Sequence, residues 1–160
     1  MPGILKASTF RGLVGLALIA SLTAAAVAGA AESDPVPPRV HGFRELGAAF
    51  KTVNDELKSG SPQVMMLQIS ARQIRDASRA QSGWFPANTA PRMGLKTAAK
   101  PEIWSQPGPF KKAQDDFTTQ AVAFYQVAQT GDVAAMRKQA KTLGATCSGC
   151  HRAFRVEPAH

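Results

Sequence analysis

The sequence predicts an all-α fold, an antiparallel four-helix bundle, and three observations predict it. Four stretches of about 20 residues repeat apolar side chains at three- and four-residue steps, the period of a helix that buries one stripe. Glycine and proline punctuate the gaps, with tight breaks at Gly60-Ser61-Pro62 and Gly131-Asp132 and one long break between them. No run alternates apolar and polar residues as a half-buried strand would.

After a proline-rich lead (Pro35, Pro37, Pro38), the first helix is expected to begin near Arg39. Val40, Phe43, Leu46, Phe50, Val53 and Leu57 form its stripe, and Gly60 ends it. Ser61 is the expected cap of the second helix, with Pro62 in its first turn. That helix should run to about Ser82, burying Val64, Leu67, Ala71, Ile74 and Ser78, with Arg72, Arg75 and Arg79 on a solvated face and Gly83 as its stop. Residues 83–108 make a long connection containing Pro86, Pro91, Pro101 and Pro107, and a short helical turn is expected at Pro101-Glu102-Ile103-Trp104. A connection of that length is uncommon in a small domain and usually has a function. Crossing the end of a bundle, it leaves room for a flat ligand. The third helix, about 109–130, carries Phe110, Ala113, Phe117, Ala121, Phe124 and Val127. Gly131 then stops the chain and Asp132 caps the fourth, whose stripe is Val133, Met136, Ala140, Leu143, Cys147, Cys150 and Phe154.

The N-terminus reads as a secretory signal. Lys6 and Arg11 make a basic start, residues 12–22 an apolar core, and the small residues 24–31 a cleavage region, so residues 1–30 are expected to be removed and 31–160 to form the bundle. The apolar core is shorter than the roughly 20 residues that span a bilayer, so no stable membrane association is expected after cleavage. The whole chain has 19 Lys+Arg against 11 Asp+Glu; without Lys6 and Arg11 the net charge is about +6. An acidic partner is one reading of that surplus. Nucleic acid is not expected, because the basic residues are scattered along a chain bound for export.

The run Thr146-Cys147-Ser148-Gly149-Cys150-His151 holds both cysteines and one of three histidines. Cys-x-x-Cys-His is the attachment pattern of a c-type haem. Two thiols add across the vinyl groups of the porphyrin and become thioethers, and the adjoining His151 brings a nitrogen to the iron. Residues three apart share a helix face, so both sulfurs meet one edge of a flat macrocycle. A thioredoxin-type dithiol competes with this reading, but it calls for a βαβ context. Half a zinc site also competes, but a closed site needs about four ligands, and only His41 and His160 remain. A haem-free exported dithiol module therefore stays as the alternative of another class. No paired carboxylates or nucleophile–base set stands beside the motif, and no enzyme is expected.

A secreted four-helix bundle with this motif near its C-terminus resembles the class II c-type cytochromes, the cytochrome c′ family. Cys147-Ser148-Gly149-Cys150-His151-Arg152-Ala153-Phe154-Arg155 is similar to the family's terminal pattern, Lys100-Pro101-Glu102-Ile103-Trp104 to the loop before the third helix, and Arg39-Val40-His41-Gly42-Phe43-Arg44-Glu45-Leu46-Gly47 to the opening of the first. The resemblance implies one covalent haem c in the periplasm, with Phe43 at the position facing the iron opposite His151. Low-spin members have methionine there; a hydrocarbon leaves the iron five-coordinate and open to NO and CO, with one-electron transfer to a redox protein as a further capability. The alternative within the family is a low-spin six-coordinate electron carrier, with Met65, Met66, Met93 or His41 to be weighed as a second ligand. By the same resemblance Arg39, Thr97 and Lys100 face the haem propionates, Arg155 lies on the proximal face, and two copies pair through the first two helices.

Overall fold

The structure is a computed structural model and describes residues 36–93 and 95–156, with side chains from Pro38 onward. The expected signal segment, its cleavage site, Pro35 and His160 lie outside the described residues. Five helices follow in chain order: α1 (Val36–Lys58), α2 (Val64–Ala80), the single turn α3 (Glu102–Ser105), α4 (Pro107–Thr130) and α5 (Val133–Phe154). The four long ones form the antiparallel four-helix bundle, with α1 against α2, α2 against α4 and α4 against α5 as the main interfaces. Short turns join α1 to α2 and α4 to α5. The 81–106 connection lies across the end where α2 stops and α4 starts, which is also where α5 ends. None of the described helices is long and apolar enough to cross a membrane.

The helix ends depart from expectation for local reasons. The first helix starts at Val36 rather than near Arg39, because Pro37 and Pro38 sit in its first turn, where no backbone donor is lost. Ser61 does not cap α2: the cap position is Gln63, whose N–H donates 2.8 Å to a Glu56 carboxylate from α1. Glu56 thus holds the helix start from across the turn. α2 ends at Ala80, and Gln81–Trp84 tightens into a 3₁₀ turn instead of stopping at Gly83. α4 begins at Pro107, two residues before the expected start. The α4–α5 turn agrees with the sequence. Gly131 takes φ +77°, the left-handed region open to glycine, and Asp132 accepts 2.9 Å from the Ala135 N–H.

The stripes meet in one core, which includes Val53, Leu67, Ile74, Phe124, Met136 and Leu143, all fully buried. Val40 is the exception in the expected set and is exposed. Arg72 and Arg79 are solvated as expected. Arg75 instead lies 4.0 Å from the Tyr125 ring centre and donates 2.9 and 2.7 Å to Asp76, bracing α2 on α4. Phe124→Ala removes a ring with no exposed surface, and destabilisation by about 3–5 kcal/mol is expected from denaturant midpoints.

Candidate haem site

Cys147, Cys150 and His151 occupy consecutive turns near the C-terminal end of α5. Cys147 packs against the core and donates 3.6 Å to the Leu143 carbonyl. Cys150 opens on a groove of about 440 Å³ between α4 and α5, lined by Ala113, Asp116, Thr119 and Gln120 opposite Thr146. Burial pushes the Cys147 thiol up, and it pushes Cys150 up to about 11, with Cys147 adding to the second. Both thiols of the unmodified chain therefore stay protonated at neutral pH, which slows their oxidation to a disulfide.

Facing that end is a chain of aromatic rings from four elements. Phe43 of α1 meets Trp84 edge-on at 4.9 Å and Phe85 at 6.0 Å. Phe85 meets Phe110 of α4 at 4.8 Å, and Phe110 meets Phe154 of α5 at 5.1 Å. Trp84 reaches α1 because position 42 is glycine: a Cβ there would lie 2.4 Å from the indole ring. The rings are tied down by the 81–106 connection, where the Trp104 indole N–H donates 3.2 Å to the Pro86 carbonyl.

Arg39 lies inside this cluster and is only 4% exposed. Its guanidinium donates 3.0 Å to the Thr89 hydroxyl and 2.7 Å to the Thr97 hydroxyl, and sits over the rings of Phe85 (4.9 Å) and Trp104 (5.7 Å). No carboxylate joins it: the ion pairs of the described residues lie elsewhere, and burial lowers its pKa. A buried cation held only by hydroxyls and ring faces lacks a counter-charge.

The structure thus brings Arg39 and Thr97 together and places Phe43 among the rings. Lys100 is engaged elsewhere. Its ammonium donates 3.0 Å to the Arg152 carbonyl at the end of α5, where a cation is favoured. Arg155 is exposed and pairs through its backbone with Ala99. His41, Met65, Met66 and Met93 are all exposed. Among the described residues no three His, Cys, Asp or Glu side chains gather as a metal site, and the only bridge of strand type is the isolated Ala99–Arg155 pair. Zinc and thioredoxin-type readings therefore gain no support. Sequence reasoning missed Thr89, Trp84, Phe85 and Gly42. The Trp84-Phe85-Pro86 run after α2 was the available signal for the ring cluster.

A family model described as Cytochrome C′ matches residues 34–155. The chain belongs to the cytochrome c′ family. It is 43% identical over 118 residues to cytochrome c′ of Pararhodospirillum photometricum, covering 73% of this chain and 92% of that protein. With cytochrome c′ of Rhodospirillum rubrum it shares 31% identity over 146 residues, 89% and 96% of the two chains. A solved structure of a cytochrome c prime variant from Alcaligenes xylosoxidans, ferrous and with bound NO, superposes with a TM-score of 0.71 at 24% identity, covering 78% of this chain and 95% of that one. That likeness supports the four-helix fold.

As a member of the cytochrome c′ family the chain is a haem-binding c-type cytochrome, and its cofactor is a covalent haem c. The residues present fit that group. Two thiols lie on successive turns of one helix, a histidine follows, and the ring of Phe154 on the same helix continues the aromatic chain through Phe110. The buried Arg39 guanidinium has no carboxylate beside it, and a propionate would be a fitting anionic partner.

Proposed function

We propose that this member of the cytochrome c′ family is a periplasmic protein whose one haem c is bonded to Cys147 and Cys150, with His151 as the only protein ligand to iron, and that it binds NO and CO. When bound, the haem supplies the metal site for a diatomic ligand and a one-electron couple. The observation that carries the reading is Phe43, a hydrocarbon held edge-on between Trp84 and Phe85. No methionine or histidine stands beside it, since His41, Met65, Met66 and Met93 all face solvent. The Phe43 ring covers the distal position with hydrocarbon and itself offers no hydrogen-bond donor to a polar adduct, which favours NO and CO over stable O₂ binding. Arg39 and Thr97 anchor the propionates, with Lys100 close by on the same connection. Arg155, one turn beyond His151, bears on the proximal face through its charge. The chain is a binder and carrier in this reading, not a catalyst.

Anaerobic titration of the reduced protein tests it. Saturable spectral changes are expected with CO and NO, and no stable adduct with O₂; a protein inert to both CO and NO would contradict it.

Met65, Met66 and Ile69 expose apolar surface along α2, and we propose that two copies pair there through α1 and α2. Ile69→Glu is expected to shift sedimentation to a single-chain mass, whereas a wild type sedimenting as one chain at micromolar concentration would remove the proposal.

A further inference from the structure

We propose that the haem-bearing end of the molecule presents a cationic face that docks the acidic surface of a protein partner. The inference deepens the electron-exchange part of the function proposed above and rests on haem attachment at α5.

In the sequence the basic residues look scattered; the fold gathers them. Residues 77–101 contain no Asp or Glu, and neither do residues 133–156. These two stretches are bound to each other. Lys100 N–H donates 2.9 Å to the Phe154 carbonyl, Val156 N–H 2.8 Å to the Ala98 carbonyl, and the Lys100 ammonium 3.0 Å to the Arg152 carbonyl. Lys96 and Lys100 thereby lie on a stretch paired with the one that carries Arg152 and Arg155, Arg92 stands further back on the same connection, and all but Lys100 are exposed. None of the five belongs to the ion pairs of the described residues, which join Lys51 to Asp55, Arg75 to Asp76, Lys111 to Asp115 and Lys112 to Asp116. Every acidic residue of the described chain lies within 45–76 or 102–132. Glu102, two residues beyond Lys100, keeps one carboxylate oxygen buried, and Glu157, two residues beyond Arg155, lies outside the described residues, so the five cations outnumber the acidic residues adjoining them.

Cations gathered at this end without a carboxylate partner among the described residues repel one another, and a partner of opposite sign relieves that cost. Such a face also steers encounter and speeds association at low salt. An acidic protein fits better than an anionic membrane. The exposed large apolar residues on these stretches are Met93 and Val156 alone, and no exposed Trp, Phe or Leu stands ready to enter a bilayer interface.

The test compares haem-loaded wild type with two variants of equal charge change. Lys96→Glu with Arg152→Glu reverses the face. Lys58→Glu with Lys138→Glu reverses two exposed cations at the opposite end, where the Arg137 guanidinium donates to the Leu57 carbonyl. Binding is measured on a polyglutamate-coated sensor at about 20 and 200 mM salt, and on phosphatidylglycerol vesicles. Wild type is expected to bind polyglutamate at low salt and to lose it at high salt. The face variant should bind at least about tenfold more weakly and the control within about threefold. Equal losses in both variants, no loss in the face variant, or binding to vesicles but not to polyglutamate would overturn the proposal. Visible spectra of all three proteins keep the outcomes separate: an altered haem spectrum in wild type strikes the function proposed above, whereas an intact one with unchanged binding strikes only this face.

Discussion

Replacing Cys147 and Cys150 together with alanine is expected to abolish covalent haem while leaving a helical polypeptide. Both sulfurs lie near the end of α5, one against the core and one opening on the α4–α5 groove. Neither is fully buried, so each truncation leaves only a small void and costs the fold on the order of 1 kcal/mol. The effect on attachment is of another size. No other cysteine exists in the chain, and a thioether has no substitute. On a denaturing gel stained for haem peroxidase activity the wild-type band should survive boiling and the double variant should be blank. Each single variant should keep a weaker band through its remaining thioether. A stained double variant would contradict the assignment of the two sulfurs, and a blank wild-type lane would favour the dithiol reading.

Arg39→Leu is expected to change stability in opposite senses with and without haem. In the haem-free chain the guanidinium is buried without a carboxylate, so an apolar replacement removes a desolvation cost. The hydroxyls left behind keep other bonds: Thr89 donates 2.7 Å to the Pro86 carbonyl, and Thr97 accepts 3.1 Å from the Ala99 N–H. The haem-free variant should therefore match wild type within about 1 kcal/mol or exceed it. In the haem-loaded protein, if Arg39 anchors a propionate as proposed, the same change would leave that carboxylate without its cation. A loss of about 3–5 kcal/mol follows from breaking a buried charge pair on one side. Denaturant unfolding of both forms checks the crossing. Equal destabilisation of both would mean that Arg39 serves the fold alone.

The helices were legible because their stripes repeat at helical steps, and the motif because two cysteines and a histidine have few other uses at that spacing. Boundaries were less so. Nothing local to Ser61 announces that Glu56 will take the Gln63 N–H from across the turn, and Pro37 and Pro38 looked like a lead rather than a first turn. The site was only half visible. Arg39 and Thr97 were named together, yet Thr89, 50 residues along the chain from Arg39, completes the cradle through a connection that has no periodicity to read. Gly42 looked like any helical glycine; its role depends on Trp84 arriving from the end of α2. The cationic face depends in the same way on a backbone pairing between residues 98–100 and 154–156.

That no side chain caps the metal opposite His151 is checked by the visible absorption spectrum of the purified protein, reduced and free of added ligand. If Phe43 faces the iron as proposed, with Met65, Met66 and Met93 all exposed, a broad visible band with a high-spin Soret maximum is the predicted result. Sharp, split α and β bands of a low-spin, six-coordinate haem would contradict it.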